Sequence, residues 1–390
     1  MWTATFFYVL KSLQMSAPES FPWLGLLKWT LQYQDGTEAS PPKEMTAEDR
    51  AFLEAVMRDG VVDETTVMKR TLLHLVTALK SYLRLSSTSS AQTDRMLAAI
   101  DEQEAKAGPS DSSPEQPDLD KLLDELDELR DIVEQIDFAR AFCMMNGMPF
   151  LLGAAAATEG GGEVPVELRS RCLGLVATIV QNNPDAQESA AKAGAVPSLA
   201  GMWGKGEGDK YEARVLQALS AVVRGHEVNL KAFYACDGAV AAVKAGVGRG
   251  RGCKVRERAM LFLRSLLTDD ESTPERAEVF KDLVGAVVAG AGRGEGEGDD
   301  AVRETCLGVL QGLLSKGGRH AALVYPYAED IQGHFRASLE RCAGGDEPED
   351  KEEREREAGE WKDCMLLLKK AIEEKKKKEK EGGEQPMLLT

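Results

Sequence analysis

An all-α solenoid is the fold class that this sequence predicts, and three observations predict it. The stretch from Val166 to Asn183, VELRSRCLGLVATIVQNN, is rewritten three more times: YEARVLQALSAVVRG from Tyr211, KVRERAMLFLRSLLT from Lys254 and DAVRETCLGVLQGLLSK from Asp300. Superposing Val180, Val223, Leu267 and Leu314 gives steps of 43, 44 and 47 residues, within or beside the length of known helical repeat units. Inside the first copy, Leu173, Val176, Ile179 and Val180 fall on one helical face at spacings of three and four, which makes a core stripe. One such unit cannot bury its apolar face alone, so units stack. The expectation is an armadillo-like right-handed helical solenoid of about four to five repeats with helical flanks.

A second face of the same helix carries the candidate binding residues. Arg171, Gly174, Thr178 and Gln181 share it in the first copy, Arg214, Gln217, Ala221 and Arg224 in the second, and Arg258, Leu261, Ser265 and Thr268 in the third. In a stacked array, arginines at one repeat position align in a row.

The 390 residues, 43% of them hydrophobic, can bury a large core. The net charge of -17 is unevenly placed. Residues 97–137 hold 14 acidic and 3 basic side chains, and 344–360 hold 9 and 3. Residues 138–343 carry 25 acidic and 24 basic groups, so the repeat body is nearly neutral and broad capture of nucleic acid is not expected. Seven cysteines form no CxxC pair and four histidines lie far apart, so no metal site is expected and the thiols read as reduced and buried.

Taken in order, residues 1–44 form an N-terminal segment. Its apolar run from Trp2 to Leu10 lacks a basic start and a small-residue cleavage site, and is too short to span a bilayer. Met15 offers an alternative start. The cluster from Trp23 to Tyr33, with Trp23, Leu26, Leu27 and Trp29, reads either as a helix packed on the body or as a mobile peptide with aromatic anchors. Residues 45–85 look like two or three helices, opening on a capping-box-like Thr46 and Asp49. Residues 86–117 are rich in Ser, Asp and Pro, the composition of a linker. With no stretch of transmembrane length and no retention signal, no membrane association is expected and cytoplasmic residence is the simplest expectation.

The repeat domain is expected over residues 118–343. It opens on a long stripe through Leu119, Leu122, Leu123, Leu126, Leu129, Ile132, Val133 and Ile136, followed by a helix stop at Asn146-Gly147. In the later units Gly194 and Gly238 occupy matching positions and read as turn glycines between a short and a longer helix. The Gly-rich loops near residues 204, 246 and 290 follow no strand and contain no GK[ST], so they read as solvent loops and not as phosphate cradles. Residues 344–390 form a charged C-terminal segment: Trp361, Met365, Leu366, Leu368 and Ile372 predict an amphipathic helix that caps the array, before a lysine-rich tail. No nucleophile with a base, no Rossmann loop and no Walker loop is present, which points to a non-enzyme and to a binding surface with no cofactor.

The phrases LRSRCLGLVATIVQNNPDAQESAAKAGAVPSL and EARVLQALSAVVRGHEVNLKAFYACDGAV resemble the armadillo-type nucleotide exchange factors of the 70-kDa heat shock chaperone, the Fes-one and heat-shock-binding-protein family. LLDELDELRDIVEQIDFARAFCMMNGMPFLL and LLKWTLQYQDGT extend the likeness upstream. The resemblance implies a monomeric co-chaperone that grips the chaperone's ATPase domain with the concave side of the array and speeds ADP release. The repeated third-helix positions Arg171, Arg214 and Arg258, with Thr178, Gln181, Asn182, Gln217 and Arg224, are the expected partner contacts; the alternative reading makes the three arginines salt bridges within or between repeats and Asn182 a helix cap. The resemblance also implies a client-release role for the Trp23 cluster. Two rivals remain: a scaffold or import-type adaptor binding an extended peptide, and an exchange factor of the endoplasmic reticulum. The adaptor needs a Trp and Asn ladder where this chain has Gly174/Thr178, Gln217/Ala221, Leu261/Ser265 and Gly308/Gly312.

Overall fold

A computed structural model describes residues 64–84, 118–156, 164–205, 207–248, 250–292, 300–344 and 351–382. The segment holding Trp23, Leu26, Leu27 and Trp29, the Thr46 cap and the linker 86–117 lie outside the described residues. The chain divides into Met1–Val67, of which only residues 64–67 are described, and a compact unit Met68–Thr390. Among the described residues there are helices and no strand.

α1 (Glu64–Arg84) packs beside α2 (Leu119–Val133): His74 Nδ1 lies 2.9 Å from Glu125, and Arg70 lies 3.6 Å from Glu128. Three-helix units then follow: α3, α4 and α5 (Ile136–Met144, Gly147–Ala156, Val166–Val180); α6, α7 and α8 (Pro184–Lys192, Ala195–Met202, Asp209–Val223); and α9, α10 and α11 (Glu227–Tyr234, Asp237–Gly246, Cys253–Thr268). A fourth unit has α12, α13 and α14 (Pro274–Glu278, Val284–Ala291, Asp300–Lys316), and a fifth has α15, α16 and α17 (Gly318–Ala322, Ala328–Gly344, Lys351–Gly382). The third helices stack in sequence, α2 on α5, α5 on α8, α8 on α11, α11 on α14 and α14 on α17. The molecule is therefore an all-α solenoid, and the repeated phrases are its third helices.

The core stripe explains the stacking. Leu173, Val176, Ile179 and Val180 are wholly buried, as are Leu216, Leu219, Val222 and Val223 one unit on. Burying each such side chain contributes about 1.5–3 kcal/mol. Polar groups stitch the units where helix ends meet. Gln187 of α6 donates from Nε2 to the carbonyls of Ala221 and Arg224 at 3.0 and 2.7 Å, and Asn229 of α9 donates to those of Gln187 and Val222, both at 3.0 Å. The bonds to Ala221, Val222 and Arg224 satisfy carbonyls that the end of α8 would otherwise leave unpaired.

The structure corrects three local expectations. The stripe from Leu119 to Ile136 is not one helix: it breaks at Glu134-Gln135, and Ile136 opens α3 with 54% of its surface exposed. The expected stop at Asn146-Gly147 is there, with Asn146 as its left-handed residue at φ 58° and Gly147 already in α4, under the Phe142 ring. Gly194 is a left-handed turn residue at φ 69°, whereas Gly238 lies inside α10, which starts after Cys236. The Gly-rich loops are also more than solvent spacers. Glu207 of the first loop pairs with the buried Arg169 of α5 at 2.6 Å, and Arg251 of the second pairs with the buried Glu212 of α8 at 2.7 Å. The two pairs have reversed polarity, and each ties the start of one third helix to the loop that leads into the next.

The C-terminal segment is part of the stack. α17 buries Trp361, Cys364, Met365 and Leu368 against α14 and α16, while Leu366 is exposed. Arg303 of α14 and Arg341 of α16 both reach Glu357, Arg341 at 2.5 Å.

Candidate protein-interaction groove

The third helices α2, α5, α8 and α11 present their second faces side by side, and an open groove runs along them. Its first part is lined by Asp127, Arg130, Arg171, Gly174, Thr178, Arg214, Gln217 and Arg258 among others. Its second part is lined by Gln181, Asn182, Gln217, Arg224, Arg258, Leu261 and Arg264 among others. Gln217 and Arg258 border both parts. All eight residues selected from the repeat register therefore line one continuous surface.

Their environments differ. Arg171 is paired with Asp127 at 2.6 Å. Arg214 donates to Gln217 Oε1 at 2.8 Å, and it makes no ion pair among the described residues. Burial lowers the Arg214 guanidinium from its ordinary value, and the like charges of Arg258, Arg171 and Arg130 lower it further, against the pull of Asp127. These arginines thus sit close enough along the row to repel one another. Arg224 is the residue that ends α8, 3.8 Å from Asp269. Asn182 does not cap a helix: it takes a left-handed turn at φ 54°, and the buried Asn183 behind it caps α6 by accepting from Ala186 N at 3.3 Å. QNNP is thereby explained as helix end, left-handed turn, N-cap and first-turn proline.

Sequence reasoning missed Asp127, although it stands 44 residues before Arg171 and extending the repeat backwards finds it. It also missed Arg169, which is 1% exposed, lies 5.1 Å over the Tyr211 ring and donates from Nε to the Val164 carbonyl at 3.0 Å. The signal was the helical spacing: Arg169 stands four and seven residues before Leu173 and Val176, on the core stripe, whereas Arg171 two residues on does not.

The groove narrows at α14. Gly308 and Gly312 stand where Gly174 and Thr178 stand in α5, and their missing side chains admit α11: a Cβ on Gly308 would lie 2.9 Å from the Arg264 guanidinium carbon, and one on Gly312 would lie 2.8 Å from Thr268 Cβ. The ladder positions that a peptide-binding adaptor needs are thus used for packing at this end. Among the described residues no group of three or more His, Cys, Asp or Glu side chains could hold a metal ion, and no helix is long and apolar enough to cross a membrane.

The fold and site define a solenoid of stacked three-helix units with an open, arginine-bearing groove along its third helices. Its sequence is similar to Hsp70-binding protein 1: 26% identical to the mouse protein over 215 residues, covering 55% of this chain and 52% of that protein, and 26% identical to the human protein over 214 residues, covering 55% and 52%. The chain spans about half the length of the curated relatives it matches. No protein-family model matches it. Solved structures similar to it include a designed armadillo repeat protein, with TM-score 0.48, 12% identity and coverage of 65% of this chain and 95% of that one, and computationally designed armadillo repeat proteins for modular peptide recognition, with TM-score 0.45, 13% identity and the same coverage.

Proposed function

We propose that the chain is a co-chaperone that binds the ATPase domain of the 70-kDa heat shock chaperone through the α2–α11 groove and accelerates ADP release. The observation that carries this reading is the meeting of two facts: relatives named for binding Hsp70, and eight repeat-register residues gathered on one open face. The mechanism has no covalent step, so the chain acts as a binding protein and not as an enzyme. It works by differential affinity: the groove binds the state of the ATPase domain that releases nucleotide more tightly than the closed, ADP-holding state. Moving that population from 1:99 to 99:1 takes about 5.5 kcal/mol of difference, which several modest contacts along a stacked surface can supply. The chain acts as a monomer in the cytoplasm, a placement supported by seven cysteines that form no disulfide.

The test is the release rate of a fluorescent ADP analogue from the purified chaperone. Acceleration that saturates with added protein is expected. An unchanged rate with folded, helical protein would overturn the exchange reading.

A further inference from the structure

The arginines of the groove divide into paired and unpaired ones. Arg171 is held by Asp127, which also lies 3.7 Å from Arg130, and Arg224 lies near Asp269. Glu207, which also borders the groove, is committed to the buried Arg169. Arg214 and Arg258, at matching positions of the neighbouring helices α8 and α11, meet no carboxylate within ion-pair distance among the described residues. Arg214 has only the Gln217 amide, although Glu134, Glu167, Asp209 and Glu257 border the same groove.

Two like charges left side by side on packed helices raise the free energy of the free protein, and a matching pair of anions relieves it. Planar guanidinium groups favour carboxylates, which they grip through two parallel hydrogen bonds. The surface around the pair is long and shallow, bounded by Gln217, Thr178 and Leu261, and the close packing of α11 on α14 at Gly308 and Gly312 ends it. That shape suits a folded protein surface and offers no enclosed cradle for a free anion.

We infer that the groove recognises an acidic patch on its protein partner, with a pair of carboxylates received by Arg214 and Arg258 and the footprint ending at α11. This rests on the co-chaperone reading only for the identity of the partner. The pair supplies electrostatic capture: it speeds encounter, and salt weakens it.

The experiment uses the full chain in three forms: wild type, R214Q/R258Q, and R319Q, which removes an exposed, paired arginine outside the groove. Each is titrated with a labelled oligoglutamate peptide at low and at physiological salt, and each is mixed with the chaperone's ATPase domain to read the association rate. Expected is a loss of about tenfold or more in peptide affinity and in association rate at low salt for R214Q/R258Q, under about twofold for R319Q, with a flatter salt dependence for the double variant alone. R214K/R258K, which keeps the charges, should restore most of the rate and separates charge from packing. If the ATPase domain does not bind but the peptide binds through Arg214 and Arg258, the acidic-patch inference stands and the chaperone reading falls. If the ATPase domain binds and the double variant associates as fast as wild type, the inference falls and the chaperone reading survives. Binding of neither probe overturns both. Inorganic phosphate competing as well as oligoglutamate would show a generic anion site and overturn the inference.

Discussion

The groove half of the array, α2 to α11, and the closing half, α11 to α17, are built from the same repeat and use it in opposite ways. In the first, the register positions of the third helix hold Arg171, Thr178, Arg214 and Gln217, and they line open surface. In the second, the same register reads Gly308 and Gly312, and α11 packs into the space. Buried charge does not follow that division: Arg303, 7% exposed, stands at the repeat position of Arg169, 1% exposed, and each is buried beside a glutamate, Glu357 and Glu207. A repeat position therefore sets where a side chain points, and side-chain size on the neighbouring helix decides whether that place is surface or core.

The largest effect that separates the halves is expected at Trp361, which is wholly buried. Trp361→Ala should cost about 3–5 kcal/mol, loosen α14, α16 and α17, and leave α5 and α8 protected; hydrogen exchange resolved by segment reads this, and equal loss throughout would mean that the two halves unfold as one. Next comes Arg169, the buried charge of the groove half. Removing it in Arg169→Ala strands Glu207 and should cost about 3–5 kcal/mol, seen as a lower urea midpoint; a midpoint shift no larger than a surface substitution gives would show that the loop pair carries no stability.

A smaller effect is expected from Gly312→Val, which forces α11 and α14 apart at Thr268. Overpacking there should cost about 1–3 kcal/mol, measured by thermal melting, while the proposed chaperone association through Arg214 and Arg258 stays near wild type. The smallest effect is on pH dependence. Burial lowers His320 and His334 from the ordinary 6.5, with Lys316 and Arg319 adding to the effect at His320 and Glu275 opposing it, and with Arg341 adding and Asp330 opposing at His334. The unfolded chain then takes up protons that the folded chain resists, so stability is present above pH 6.5 and is lost as pH falls through it. Melting followed from pH 7 to below 6 should drop more for the closing half than for the groove half, and substituting both histidines with glutamine should remove the difference.

The helices and their stacking were legible because periodicity is a local property. Leu173, Val176, Ile179 and Val180 announce a buried face wherever they occur in a helix, and the repeat step carries Arg171 to Arg214 to Arg258 by counting alone. The groove face followed from the same count, and so does Asp127. What counting cannot give is which charge finds which. Arg169 and Arg171 share a helix and a charge, yet one is sealed against Glu207 and Tyr211 and the other faces the groove beside Asp127.

By itself, then, the sequence determined an all-α solenoid, its unit length and the row of residues on its third helices, because each follows from spacing along one helix. Only the tertiary structure decided that Asn182 turns left-handed so that Asn183 can cap, that two Gly-rich loops are pinned by buried partners, and that Arg214 and Arg258 meet no carboxylate while Arg171 does. The last two depend on distances between residues some 40 positions apart in the chain, as Arg169 and Glu207 show at a separation of 38, and such distances exist only once the units have stacked.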